Sequence, residues 1–391
     1  MNHTKTFLLL LCSVLTCQAE LMLAPIFTDH MVLQQGIRLP IWGTAAAREK
    51  VVVSFGSQTV KATANAAGEW KAELRALRAS IKPSVLRVEA GAEAIERSDI
   101  VVGDVWICSG QSNMAFKLPK CVGGQADAEA ASDTLLRLNT TRGWSICTDK
   151  AALDTSGVAY YFARVLRKEK PNIPVGLIQR AVGGTPVEFW TPADQLSRVA
   201  FCRATLKRFQ GDGGVAEKIT AYNQALRTWK KKAKSEGRKK AGPKPNPGVD
   251  AETLVLAGIY GPESVGRLWK QHLEPVAGFG IRGAIWYQGE RNTKAGADCA
   301  RAYRPMFANL ITSWREAWGQ GDFPFYAVQL PTFARGSSNW KIVQEAQALA
   351  VTDVTNAGYV DIRDLPDDGL HPKNKKPVGE RLARLALKSL P

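Results

Sequence analysis

The run from Asp104 to Met114, Asp-Val-Trp-Ile-Cys-Ser-Gly-Gln-Ser-Asn-Met, constrains this chain more than any other stretch. An apolar segment ends abruptly in Ser109-Gly110-Gln111-Ser112, the way a buried parallel strand delivers a side chain to the edge of a sheet. Gly110 permits a tight turn, which would leave the Ser112 hydroxyl exposed and its amide N–H free. The surrounding pattern agrees. After residue 103, apolar segments expected as strands (105–108, 175–179, 283–287, 325–329, 359–361) alternate with amphipathic segments expected as helices (158–168, 303–318, 342–351, 377–390). In the last of these, Val378, Leu382, Leu385 and Ala386 line one face, and Pro377 suits a first helical turn. Such alternation predicts an α/β fold, a parallel sheet flanked by helices, with ligands bound beyond the carboxyl ends of the strands.

Residues 20–103 read differently. Segments at 51–55, 58–64, 69–74 and 85–90 show partial period-two patterning, punctuated by Gly56, Gly68 and Gly91. Short strands at this spacing predict a small N-terminal β-sandwich ahead of a catalytic domain over 104–391. His30 follows Asp29 in a turn beside apolar residues and reads as structural.

A serine nucleophile needs a base, and past residue 19 the chain holds only His30, His272 and His371. His272 lies in a helical pattern. His371 stands in Asp367-Asp368-Gly369-Leu370-His371-Pro372, with a carboxylate three residues before it and a proline after it that favours an extended loop. Asp368 would accept from the imidazole Nδ1–H and leave Nε2 to take the Ser112 proton. Ser112, Asp368 and His371 are therefore the candidate catalytic residues, in the chain order Ser–Asp–His, and a serine hydrolase is the expectation.

A tetrahedral oxyanion needs donors already in place. The Ser112 N–H is one. The stretch 179–190 follows a strand and carries Gly183-Gly184, where a backbone N–H can approach a substrate closely. A third loop, 286–292, offers Gln288 and Asn292 as side-chain donors, with Glu290 as a carboxylate to support His371 or the loop itself.

The motifs Gly-Gln-Ser-Asn-Met, Gly-Gly-Thr-Pro-Val-Glu-Phe-Trp, Trp-Tyr-Gln-Gly-Glu-Arg-Asn and Asp-Gly-Leu-His-Pro-Lys-Asn-Lys, taken together, resemble the sialate O-acetylesterase family of SGNH-type hydrolases. The stretch 23–34 is similar to the opening of bacterial members, so the resemblance runs over almost the whole chain beyond the first 20 residues. It implies an SGNH-hydrolase-like fold and removal of O-acetyl groups from carbohydrate without metal or cofactor. It also implies Ser112 as nucleophile rather than Ser109, His371 as base, Asp368 as its partner, and oxyanion donors from Ser112, Gly184 and Gln288. One position departs from the family pattern Gln-Gly-Glu-Ser-Asn: Arg291 replaces the serine and sets a cation beside the expected pocket. An esterase of acetylated polysaccharide, xylan-type or algal, is an alternative. So is a carbohydrate-binding relative without catalysis, which intact Ser112, Asp368 and His371 argue against.

Residues 1–19 carry Lys5, an apolar stretch over 7–15 and small residues before position 20, the pattern of a secretory signal peptide, predicting a secreted or periplasmic protein. No other stretch reaches the roughly 20 apolar residues of a membrane span. Five cysteines follow: Cys108, Cys121, Cys147, Cys202 and Cys299. Cys108 reads as a buried thiol, Cys121 with Cys147 is the candidate pair, and an odd number leaves one thiol over. The net charge of +16 raises nucleic acid as a partner. Much of the excess sits at 230–240, which matches no nucleic-acid motif and reads as a solvated helix end running into a proline-rich linker, a Lys/Pro-rich insertion around 228–250. An acetylated carbohydrate, not nucleic acid, is the expected partner.

Overall fold

The computed structural model describes residues 20–210, 214–238, 240–261, 263–365 and 369–389. The expected signal peptide, 1–19, and the expected catalytic Asp368 lie outside the described residues.

The main sheet runs in the order Gly143–Cys147, Asp133–Thr140, Val175–Ala181, Glu93–Gly110, Gly283–Tyr287, Phe325–Val328, Ala357–Val360. The first pair is antiparallel and all later neighbours are parallel. Successive side chains point to opposite faces. Trp106, Leu177 and Ile285 therefore join one apolar core with helices Gly157–Glu169 and Lys376–Leu387. Ile107, Ile178, Ala284 and Trp286 join the other, with helices Gly296–Trp318 and Asn339–Ala350. Burial on both faces is why these strands read as unbroken apolar runs.

The strand Glu93–Gly110 organises the molecule. Its first part pairs antiparallel with Ser80–Ala90 and keeps partial exposure, whereas every residue from Ile100 to Gly110 is buried. The same strand then sits between Val175–Ala181 and Gly283–Tyr287 in the main sheet. The domain boundary expected at 103/104 thus falls inside one continuous strand. Ahead of it, Met22–Leu23, Leu39–Thr44 and Glu69–Leu74 form one small antiparallel sheet. Lys50–Phe55 pairs with Gln58–Thr63 and Ser80–Ala90, and the last of these links them to the main sheet through Glu93–Gly110.

The pair Asp133–Thr140 and Gly143–Cys147, and the helices Ala200–Gln210 and Ala251–Tyr260, have no counterpart among the expected elements, and of Gly214–Glu236 only the lysine-rich end was expected. Gly214–Glu236 shows why: only Ile219 and Tyr222 are buried, so its apolar stripe is too thin to read. Beyond it the chain folds back, and the Trp229 indole N–H donates to the Gly242 carbonyl at 3.0 Å. The five cysteines among the described residues are buried free thiols; Cys121 and Cys147 are not joined. Among the described residues no helix is long and apolar enough to cross a membrane.

Candidate active site

The turn that carries Ser112 is built by two neighbours of one strand. After Gly110 the Gln111 N–H donates to the Tyr287 carbonyl at 2.9 Å, and the Val182 N–H donates to the Gly110 carbonyl at 3.1 Å. Gly110 has φ +137°, and a Cβ there would lie 2.2 Å from the Tyr287 oxygen, so glycine alone fits. Ser112 follows on a turn closed by the Ala115 N–H on the Gln111 carbonyl.

His371 arrives from the opposite end of the sequence. Its Nε2 lies 2.7 Å from Ser112 Oγ, and its ring stacks on Phe116 with centroids 6.4 Å apart. Partial burial, and then the Lys375 cation, lower the imidazole below its ordinary value. The imidazole is therefore held neutral, and so able to accept a proton, over a wider acidic range.

Gly183 packs beside Ser112, and Gly184 follows it in the chain. A Cβ on Gly183 would sit 3.4 Å from that of Ser112, whereas the space beside Gly184, at φ +72°, is open. Among the described residues the amide N–H groups of Ser112, Gly183 and Gly184 donate to no protein group. Uncommitted donors at Ser112 and on the adjoining Gly183-Gly184 turn suit an oxyanion.

A sequence profile described as carbohydrate esterase, sialic acid-specific acetylesterase, matches residues 102–239 and 263–388. The chain belongs to this family. It is 24% identical to the sialate O-acetylesterase of Rattus norvegicus, over 90% of this chain and 70% of that one. The Homo sapiens sialate O-acetylesterase is 25% identical over 73% of this chain and 53% of its own length, so the match spans about half of that relative. The crystal structure of a carbohydrate acetylesterase from Xanthomonas citri superposes with a TM-score of 0.71 at 28% identity, covering 94% of this chain and 74% of that chain.

Within this family fold, the loop expected to supply a side-chain donor is placed differently. Gln288 is fully buried. Its amide nitrogen donates to Asn292 Oδ1 at 2.8 Å and the Thr185 carbonyl at 3.0 Å, with Gln111 Oε1 at 3.3 Å. Its oxygen accepts from the Tyr303 hydroxyl at 2.8 Å. Both N–H bonds are thus committed inside the protein, and the structure puts Gln288 behind the site as a brace instead of in it as a donor. Asn292 is committed too: Oδ1 also accepts from the Val187 N–H, and Nδ2 donates to Glu188 Oε2 at 2.8 Å. Glu188, fully buried and pushed up by desolvation, also accepts from the Tyr260 hydroxyl. These bonds stitch the 183–190 loop to the 288–292 loop.

Arg291 is half-buried; its N–H donates to Gln111 Oε1 at 3.2 Å, and its guanidinium has no ion pair or hydrogen bond among the described residues. Glu290 is buried and pushed up to about 7, mainly by desolvation. It does not touch His371; it accepts from Asn113. Asn113, and Lys375 that donates to it, escaped the sequence reading. The only signal was their place in the family-like motifs, one residue from Ser112 and four from His371.

The other two histidines are elsewhere engaged. His30 Nδ1 meets Asp99 at 2.7 Å, a carboxylate also held by Arg137. His272 packs on Trp190, and its carbonyl accepts from Arg180. Ser109 is buried with its hydroxyl unpartnered among the described residues, beneath the turn that presents Ser112.

Proposed function

We propose that this chain is an exported serine esterase that removes O-acetyl groups from carbohydrate, with acetylated sialic acid as its first substrate class. The observation that carries the reading is the 2.7 Å approach of His371 Nε2 to Ser112 Oγ beside the uncommitted N–H groups of Ser112, Gly183 and Gly184. Ser112 Oγ attacks the acetyl carbonyl carbon while Nε2 takes the hydroxyl proton. The carbonyl oxygen becomes an oxyanion held by the loop N–H groups. Collapse breaks the bond to the sugar oxygen, which receives the proton from His371 and leaves as an alcohol. Water then gives its proton to His371 and its oxygen to the acetyl carbon, releasing acetate and restoring Ser112. Asp368 is assigned the Nδ1 side of His371, a role that rests on its spacing in the sequence.

The substrate class is supported by the family's description and by the relatives named sialate O-acetylesterases. Acetylated polysaccharide is the second reading, favoured by the Xanthomonas citri relative, which is described only as a carbohydrate acetylesterase. Export is supported by the pattern of residues 1–19.

The test is acetate release from acetylated sialic acids and acetylated polysaccharides by the unaltered chain, Ser112→Ala and Ser109→Ala. Ser112→Ala loses release on every substrate, and Ser109→Ala retains it. Acetyl-enzyme formation that persists in Ser112→Ala and vanishes in Ser109→Ala overturns the assignment. Turnover confined to polysaccharide moves the substrate to the second reading.

A further inference from the structure

Three loops that have no sequence proximity meet at the side chain of Asn113. This amide is fully buried, and its two ends are differently engaged. Nδ2 donates to Glu290 Oε1 on the 288–292 loop and to the Leu370 carbonyl, the residue before His371, at 3.0 Å. Oδ1 accepts from Lys375 Nζ. Lys375 is itself fully buried, with Nζ 5.3 Å from the centre of the Phe116 ring and 5.0 Å from that of Tyr287.

We infer that Lys375, Asn113 and Glu290 form a buried cation–amide–carboxyl rivet that positions His371 over Ser112 and brings the charge of Lys375 to bear on the working base. The inference rests on the serine–histidine reading of the site and goes beyond it by assigning positioning residues.

The geometry supports both halves. Asn113 is the immediate neighbour of the nucleophile, and one of its N–H bonds ends on the peptide adjoining the base. Its side chain therefore sets the separation of the two reacting groups. An ammonium on the oxygen of an amide and a carboxyl on its nitrogen polarise it in the same sense, so the three bonds strengthen one another. A fully buried ammonium is costly unless it is hydrogen-bonded and faced by electron-rich groups; Asn113 Oδ1 and the two aromatic rings supply these. Phe116 touches both Lys375 and the His371 ring, so cation and base share one wall.

Among the described residues Lys375 is the charged group that acts on His371, and it disfavours the imidazolium form. The other charged or titratable side chains of the surrounding loops are Glu188 on 183–190, Glu290 and Arg291 on 288–292, and Lys373 on the histidine loop, whose Asp361 pairs with Arg363 and Asp364 with Arg381. Lys117, past the nucleophile turn, is paired with Asp154. Asp367 and Asp368 belong to the part of the histidine loop outside the described residues. Removing the Lys375 cation should let His371 protonate at higher pH, so the acid limb of activity should move up.

The experiment follows the rate of Ser112 modification by a fluorophosphonate, and kcat and KM on 4-nitrophenyl acetate, against pH with the full chain. Lys375→Met, which keeps the linear shape without the charge, is expected to shift the acid limb to higher pH, and Lys375→Arg to leave it lower than in Lys375→Met. Lys375→Gln carries the same expectation as Lys375→Met should the latter fail to fold. Asn113→Asp can still accept from Lys375 but has no N–H for the Leu370 carbonyl. It is expected to lose roughly 10- to 100-fold in kcat with KM little changed, the scale of a small misplacement of reacting groups. An acid limb that stays in place in the neutral variants, or an Asn113→Asp enzyme of undiminished kcat, overturns the inference. Ser112→Ala is run alongside. Modification that persists there instead refutes the serine–histidine reading itself.

Discussion

Replacing Gln288 by leucine separates two roles that a buried amide can play near an oxyanion. The structure assigns it a bracing role, with both N–H bonds and the carbonyl oxygen engaged inside the protein. Leucine removes three hydrogen bonds of 3.0 Å or less, each with a net contribution of about 1 kcal/mol. Asn292 Oδ1 keeps its bond from the Val187 N–H, and the Tyr303 hydroxyl can still reach the Gln288 carbonyl at 3.3 Å. The Thr185 carbonyl is left without a protein donor, at a further cost of about 1–2 kcal/mol. The expected destabilisation is roughly 4–5 kcal/mol. An unfolding entropy of about 2.1 cal/mol/K per residue over 391 residues gives about 0.8 kcal/mol/K, so Tm should fall by about 5–6 °C. Differential scanning calorimetry reads the shift, and kcat on 4-nitrophenyl acetate is measured on the same preparation below the transition. An oxyanion donor behaves in the opposite way: its loss costs on the order of 10²- to 10³-fold in kcat and little stability. An unchanged Tm with kcat reduced to that extent would refute the bracing assignment.

Gly379 lies on the helix Lys376–Leu387 where a Cβ would come within 2.7 Å of Phe162 N and Val158 O. Backbone atoms cannot give way, so Gly379→Ala should push this helix from Gly157–Glu169 at a cost of about 1–3 kcal/mol. Because the helix follows the His371 loop, acetate release should fall with Tm, and a variant of unchanged Tm contradicts this packing. Arg291→Ala should raise KM for acidic acetylated sugars more than for neutral ones, since an unpaired guanidinium can meet a sugar carboxylate. Equal changes for both classes remove Arg291 from substrate selection.

The proposed serine–histidine pair was legible because its signals are local. Ser112 stands two residues past a glycine at the end of an apolar run, and His371 is the one histidine with a carboxylate at −3 and a proline after it. The strands of the main sheet were legible for a related reason: burial on both faces leaves no polar alternation. The same rule hid other parts. Asp133–Thr140, paired with the antiparallel edge strand Gly143–Cys147, carries polar Asp133, Thr134, Arg137, Asn139 and Thr140 among its leucines and breaks the apolar run. The helix Gly214–Glu236 buries too little to show a stripe.

Residue type and spacing determined which side chains could react and which loops reach the carboxyl ends of the strands. Tertiary structure alone decided what those loops do there. Gln288, Asn292 and Glu290 were all legible as polar groups near a site, yet their hydrogen atoms and lone pairs are directed by Thr185, Val187, Glu188 and Asn113, residues about 100 to 180 positions away. No local pattern encodes such a choice, because an amide donor is free for substrate only if no distant acceptor claims it first. Lys375 shows the same limit from the other side. In the sequence it is one cation in a basic chain; burial against Phe116, Tyr287 and Asn113 is what turns it toward the base.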